Sequence, residues 1–413
     1  MRKLLILVFA LGIALSGCVA VGNPSRGIVE KPKEHSAEGE AGHAGGEGEA
    51  HSEGGAKATE EAHGEGEATK EAEGSHSEGS PTAEPTQEAT PNSALPGVDG
   101  IVAAAYGRQP LRELTLFLGY IPNVQFAPVY VGIEQGFFRD AGIDLKIEHG
   151  FDETAGLTRI ATDNLKFGMI SGEQVLLARN QGAAVRYVYR WYQRFPVGIV
   201  SPASAPITKP EDLRGRVVGV PGRFGASYTG LQALLNAANL TEADLKEVRS
   251  IGFDTAPVVC ERQVEASVIY IANEPAQIAA KCFEVNVLAI SDFANIISNG
   301  IVTNEKTIRE EPELVRAFVA AYDKALALTI SDPDLAYQSS LPHVENLAEN
   351  DPVQRAVLEK SIELWKAERL GESDDATWKR TAETLVKMGL LSSIDGYADA
   401  YTNDFLPPKE AQK

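Results

Sequence analysis

The chain has 413 residues and a formal net charge of −20, from 58 acidic and 38 basic side chains. An acid excess of this size argues against a nucleic-acid partner, whose phosphates are met by Lys and Arg. Much of that charge sits in a low-complexity amino-terminal segment, and the ~300 residues that follow are enough for two lobes rather than one core.

The amino terminus reads as a secretory signal. Arg2 and Lys3 form a basic start, residues 4–15 an apolar run, and Leu15-Ser16-Gly17-Cys18 follows at once. The run is shorter than the ~20 residues of a membrane span. A small-residue cleavage site ending in Cys resembles the bacterial lipoprotein signal, so 1–17 is expected as a signal peptide and Cys18 as the lipidated first residue. The alternative is an ordinary signal peptide that contains a Cys. At ~0.8 kcal/mol per buried methylene, a diacylglyceryl Cys18 would anchor the protein in the lipid bilayer, on the extracytoplasmic face of the cell membrane.

From about 19 to 96 the sequence is Glu, Gly, Ala, Ser, Thr and His with almost no large apolar side chain, so it cannot offset the entropy of ordering. It holds sixteen Glu against five Lys or Arg, about half of the net charge. Residues 18–105 are expected as a disordered tether; ~80 flexible residues span roughly 50 Å root-mean-square. His35, His43, His51, His63 and His76 all lie in it. A solvated spacer is the simpler reading of them than a metal scavenger.

Beyond the tether, strand and helix patterns alternate. Residues 114–118 are an apolar strand, Gly119-Tyr120-Ile121-Pro122-Asn123 a polar turn, 127–136 a helix and 143–149 a second strand. Such a strand–helix–strand unit opens its first loop onto the crevice where small molecules bind. Further strands are expected at 167–171, 185–190, 197–201, 217–221, 248–252, 266–271 and 286–290. Helices are expected at 153–162, 173–181, 226–239, 255–263 and 275–282. The alternation implies an α/β fold of parallel sheets covered by helices. From Glu311 the pattern is helical only, at 311–330, 333–340, 351–368 and 374–388, and Asp332-Pro333 and Asp351-Pro352 suit helix starts. Cys260 and Cys282 flank the strand at 266–271, either bridged or as two buried thiols.

Near residue 200 the pattern restarts, with Lys209-Pro210-Glu211-Asp212-Leu213-Arg214-Gly215 leading into a new strand, and at Asn299-Gly300-Ile301-Val302-Thr303 the chain crosses back. The expected parts are 106–200 as the start of lobe 1, 201–298 as lobe 2, and 299–413 as the return to lobe 1 with a helical carboxy-terminal segment. Two lobes joined by two crossovers make a hinged clam-shell. The order of elements, the restart at Lys209 and the opening block resemble the substrate-binding lipoproteins of ABC importers, in the NMT1/THI5-like group. That resemblance implies a type II periplasmic-binding-protein fold, and a membrane permease and ATPase as partners. Residues 120–128, Trp191-Tyr192-Gln193-Arg194-Phe195-Pro196 and Asn403-Asp404-Phe405-Leu406 are most similar to members that bind riboflavin. Riboflavin is then the transported ligand, with no cofactor implied; a thiamine pyrimidine precursor, or another small aromatic vitamin fragment, is the alternative.

Ligand contacts are expected from Asn123, Phe126 and Tyr130 of the opening segment, and from Gln174 where a strand meets a helix. Glu173 beside it suits a helix cap as well as a ligand contact. Trp191 and Tyr192 supply a stacking platform at a strand end, with core packing as the plainer role for a single aromatic. Gly225, Ser227 and Tyr228 open a helix whose free N–H groups favour anions or hydroxyls, although the turn is not a Walker loop. Tyr270, Asn273 and Glu274 complete the set. An enzyme of the pyrimidine-forming THI5 type calls for a reactive Cys-rich segment with placed histidines. Beyond the tether there are only Cys260, Cys282, His149 and His343, unclustered, so a non-enzymatic receptor is expected.

Overall fold

The apolar run after Glu113 has neighbours on both sides. In the computed structural model, which describes residues 110–409, β1 (Arg112–Leu118) pairs in parallel with β2 (Ile143–His149) and β3 (Phe167–Ser171). Parallel pairing requires long crossovers. They are α1 (Ala127–Glu134), α2 (Phe137–Asp140) and α3 (Glu153–Ala161), while α4 (Gly172–Asn180) leads to β4 (Val185–Arg190). The expected signal peptide, Cys18, the tether and its histidines lie outside the described residues.

A strand from far along the chain completes this sheet. β10 (Asn299–Asn304) lies antiparallel between β3 and β4, giving the order β2-β1-β3-β10-β4. The second sheet repeats the plan in the order β7-β6-β8-β5-β9. Its parts are β5 (Val197–Pro202), β6 (Val217–Val220), α5 (Gly225–Ala237), β7 (Glu247–Ser250), α6 (Thr255–Cys260), β8 (Ala266–Tyr270), α7 (Glu274–Lys281) and β9 (Val285–Ala289). β5 is the antiparallel member, between β8 and β9. The two sheets are joined by residues 191–196 and 290–298. Five helices follow β10: α8 (Glu305–Glu310), α9 (Pro312–Ser331), α10 (Pro333–Ser340), α11 (Pro352–Trp365) and α12 (Asp375–Lys387).

The first crossing falls earlier than the expected boundary after residue 200. Val197–Pro202 belongs to the second sheet because this fully buried run finds ladder partners only there. The short helices α2 and α8 are not visible in the apolar periodicity, being too brief to show a repeat.

Side-chain alternation splits each sheet into two faces. Leu116, Leu118, Met169 and Ile301 pack with α1 and α9 through Val131, Phe318 and Tyr322. Phe117, Ile170 and Val302 pack on the other face with Leu157, Leu176 and Trp378. In the second sheet Ile199 and Val268 face one cluster, Val200 and Ile269 the other. The central strands β3, β5, β6 and β10 are buried throughout, whereas the edge strand β7, Glu-Val-Arg-Ser, exposes its ends, which blunts a free edge. The carboxy-terminal helices start on Pro312, Pro333 and Pro352, and Asp332, Asp351 and Asp374 accept hydrogen bonds from first-turn N–H groups. Each such cap contributes ~1 kcal/mol.

Cys260 ends α6 and Cys282 follows α7; they form a disulfide with a Cα–Cα distance of 5.7 Å. The bridge closes a loop of 22 residues, for which chain entropy gives roughly 3 kcal/mol. Denaturant unfolding with and without a reductant should therefore show a loss of about that size, and Cys282→Ser should reproduce it. Coincident transitions would show that the bridge does not stabilise the fold.

Candidate functional site

The strands of a parallel sheet end together, so the loops that follow β1, β2, β6, β7 and β8 meet where the two sheets face each other. They enclose a cavity whose space, counted out through its open mouth, is about 840 Å³. Phe126 and Trp191 stack with centroids 5.8 Å apart and planes 30° apart. Tyr192 lies 4.6 Å from Trp191, and Trp365 of α11 backs both rings. Gln125 Nε2 donates to Tyr192 Oη at 3.3 Å. At the other end Tyr120 meets Phe253 edge-on at 5.2 Å, and Phe151, which is 57% exposed, lies 5.3 Å from Phe253. A flat ring system entering here meets aromatic surface from both lobes.

The polar part of the wall is acidic. Glu153, at the first position of α3, accepts from Ser171 Oγ at 2.6 Å, from Asn299 Nδ2 at 2.9 Å and from the Ser171 N–H at 3.3 Å. Ser171 Oγ is also 2.8 Å from Oε1 of the fully buried Glu173, whose Oε2 has no partner. Burial pushes both carboxyls up, Glu153 to about 7 and Glu173 to about 8, with the Glu153 charge adding to the rise at Glu173. Glu274, on the opposite lobe, accepts from the Tyr270 N–H at 2.9 Å and is pushed by burial to about 7. Among the described residues no Lys or Arg lines the cavity.

The residues expected from sequence separate into two groups. Phe126, Trp191, Tyr192, Gly225, Ser227, Tyr270, Asn273 and Glu274 line the cavity. Tyr130 does not: Phe126 belongs to a 3-10 turn and α1 begins after it, so the i, i+4 spacing does not put the two on one face. Tyr130 is buried and stacked on His343 at 4.6 Å. Asn123 caps the same turn by accepting from the Gln125 N–H, and its Nδ2 is 3.5 Å from Asn273 Oδ1. Gln174 bridges the lobes instead, donating to Thr229 Oγ1 at 3.3 Å. Tyr228 turns away to Glu242 and Arg223. Glu173 sits behind the wall, held by Ser171. The apolar pattern does not single out Phe151, Glu153, Phe253 or Asn299. Their common signal is position: Phe151, Glu153 and Phe253 lie in the few residues after a strand and Asn299 starts one, all at the cavity end.

The NMT1/THI5-like family model matches residues 123–336. The riboflavin-binding protein RibY of Chloroflexus aurantiacus is 39% identical over 327 residues, covering 77% of this chain and 93% of RibY. The chain belongs to the NMT1/THI5-like family. A more distant relative is a 4-amino-5-hydroxymethyl-2-methylpyrimidine phosphate synthase of Legionella pneumophila, 22% identical over 71% of this chain and 92% of the synthase. Among solved structures, the alkanesulfonate-binding protein SsuA of Xanthomonas axonopodis, bound to MOPS, superposes with a TM-score of 0.56 at 14% identity, covering 70% of this chain and 98% of SsuA. That likeness is one of fold, and it agrees with the two-lobed α/β clam-shell of periplasmic binding proteins.

In this member of the family the buried acids make stability depend on pH. A carboxyl whose folded pKa is raised binds more protons folded than unfolded. Its favourable contribution is full below the ordinary value of about 4.5 and is lost as pH rises through about 8 for Glu173. Unfolding free energy should fall across that window, and Glu173→Gln should flatten the slope. A pH-independent transition midpoint in the native protein would count against the buried pair.

Proposed function

We propose that this protein is the substrate-binding lipoprotein of an ABC importer, capturing riboflavin outside the membrane and passing it to a permease and its ATPase. The observation that carries the ligand class is the wall itself: aromatic rings on both lobes, the carboxyls of Glu153 and Glu274 and, among the described residues, no lining cation. Such a wall suits a neutral flat ring that brings its own hydrogen-bond donors, and it repels sulfonate, nitrate or a phosphate. Similarity to RibY supports riboflavin, which presents an imide N–H, ring carbonyls and ribityl hydroxyls. The isoalloxazine would stack against Trp191 and Tyr192, where aromatic contact adds ~1 kcal/mol beyond the area it buries.

The contacts between lobes support a receptor that closes. Asn123–Asn273 at 3.5 Å, Tyr120–Asn273 at 3.4 Å and Gln174–Thr229 at 3.3 Å are long hydrogen bonds, each weak enough to exchange, while Tyr270 Oη donates to Asn299 Oδ1 at 3.0 Å beside the second crossing. A ligand that touches both lobes supplies the differential affinity that favours the closed form. The disposition of thiols and histidines supports binding rather than catalysis. Cys260 and Cys282 are tied to each other, His343 stacks on Tyr130 away from the cavity, and His149, beside Phe126, engages the Tyr120 carbonyl through its Nδ1 at 2.7 Å.

Titration of the protein should quench riboflavin fluorescence, with 4-amino-5-hydroxymethyl-2-methylpyrimidine and its phosphate binding more weakly. Trp191→Ala should raise Kd about tenfold, corresponding to ~1.4 kcal/mol of lost contact, with the fold intact by circular dichroism. Tight pyrimidine binding without quenching would replace riboflavin by a pyrimidine precursor.

A further inference from the structure

Ser171 Oγ carries a single hydrogen, yet it lies within hydrogen-bond distance of two carboxyl oxygens, Glu153 Oε2 and Glu173 Oε1. With both carboxyls ionised, one contact would set a lone pair against a negative oxygen. One of the acids must therefore donate to Ser171, which in turn donates to the other.

The remaining oxygens say which is which. Glu153 Oε1 receives Asn299 Nδ2 and the Ser171 N–H, donors that suit an anion. Glu173 Oε2 receives nothing and is buried, which suits a neutral acid. Glu153 alone of the pair reaches the cavity. Gly119 leaves it the room to do so, and Gly225 of the second lobe comes within ordinary contact of it. A Cβ on Gly119 would lie 2.9 Å from Glu153 Cγ, and one on Gly225 would lie 3.5 Å from Oε2. Gly225 has φ +65° and belongs to the second lobe, so the carboxylate sits at the seam where the lobes meet.

Resting on the reading of this cavity as a ligand site, we propose that Glu153 receives a hydrogen-bond donor of the ligand, a ring imide N–H or a hydroxyl, while Ser171 and Glu173 store the proton that keeps it ionised. The transfer is balanced within the triad. Ser171 passes its hydroxyl hydrogen to Glu173 as it takes the one on Glu153, and only O–H bonds change. The groups facing the pair supply no counter-ion. Asp152 adjoins Glu153 on the same turn and raises it. Tyr187 of β4 and Tyr270 of β8 are phenols held far above neutrality by burial, and Glu274 across the cavity is a further acid. Gln174 and Thr229 are neutral, and Arg190 is bound to Asp374 and to the carbonyls of Tyr192 and Gln193. Ligand capture is consequently linked to protons: acid that protonates both carboxyls removes the acceptor and weakens binding.

Two measurements on the full chain test this. Infrared difference spectra of the ligand-free protein at neutral pH, recorded in a Glu274→Gln background that removes the other raised acid of the cavity, should show the carbonyl band of one buried protonated carboxyl, lost on adding Glu173→Gln and kept on adding Glu153→Gln. Absence of the band in that background overturns the shared proton. Riboflavin titrations should give a Kd at least about tenfold weaker at about pH 5.5 than at about pH 8, and Glu153→Gln should bind about tenfold more weakly at the higher pH with the dependence gone. A pH-independent Kd together with unchanged affinity in Glu153→Gln overturns the role of Glu153 and leaves the riboflavin reading intact. The band without any riboflavin binding retires the riboflavin reading and upholds the shared proton.

Discussion

Each sheet is completed by a strand that runs against the others, and the rest of the molecule depends on that exchange. β10 wedges between β3 and β4, and β5 between β8 and β9. Both strands are fully buried, so neither can leave without exposing a core. The exchange obliges the chain to cross between lobes twice, and the crossings end at the cavity. The first carries Trp191 and Tyr192; the second delivers Asn299 to Glu153. Cavity-lining groups therefore sit on the segments that join the lobes, where a change of lobe angle is felt directly.

The electrostatics follow from this placement. Glu153 and Glu274 line the cavity and Glu173 is buried behind its wall, and among the described residues no lining cation compensates them. Hydrogen bonds from Ser171, Asn299 and backbone N–H groups hold them instead. An arrangement of this kind weakens the unliganded closed form and is relieved by a ligand that brings donors. It also separates this site chemically from an anion pocket on the same architecture, where positive charge or free N–H groups face the ligand.

The aromatic surface has two layers that differ in exposure. Phe126, Trp191 and Tyr192 are buried, and Trp365 lies behind them, so their orientation is set by the core. Phe151 and Phe224 remain exposed at the mouth and have room to adjust. A rigid inner platform and an adaptable rim suit a ligand with a planar head and a flexible polar tail.

By itself the sequence determined the class of fold, the succession of elements and the family, because apolar periodicity and proline-marked helix starts are local signals. Trp191 and Tyr192, clustered beside charges at a strand end, stood out locally in the same way, and both line the cavity. What only the tertiary structure decided was direction. Tyr130 and Tyr228 sit on segments that reach the cavity but turn away from it, because a 3-10 turn and a helical rotation set their faces. Val197–Pro202 joined the second sheet through partners some seventy to ninety residues downstream. The Glu153–Ser171–Glu173 contact is equally non-local: it brings together the start of α3, the end of β3 and the start of α4. No spacing in the chain encodes that one hydroxyl must serve two carboxyls; packing alone brings their oxygens within reach.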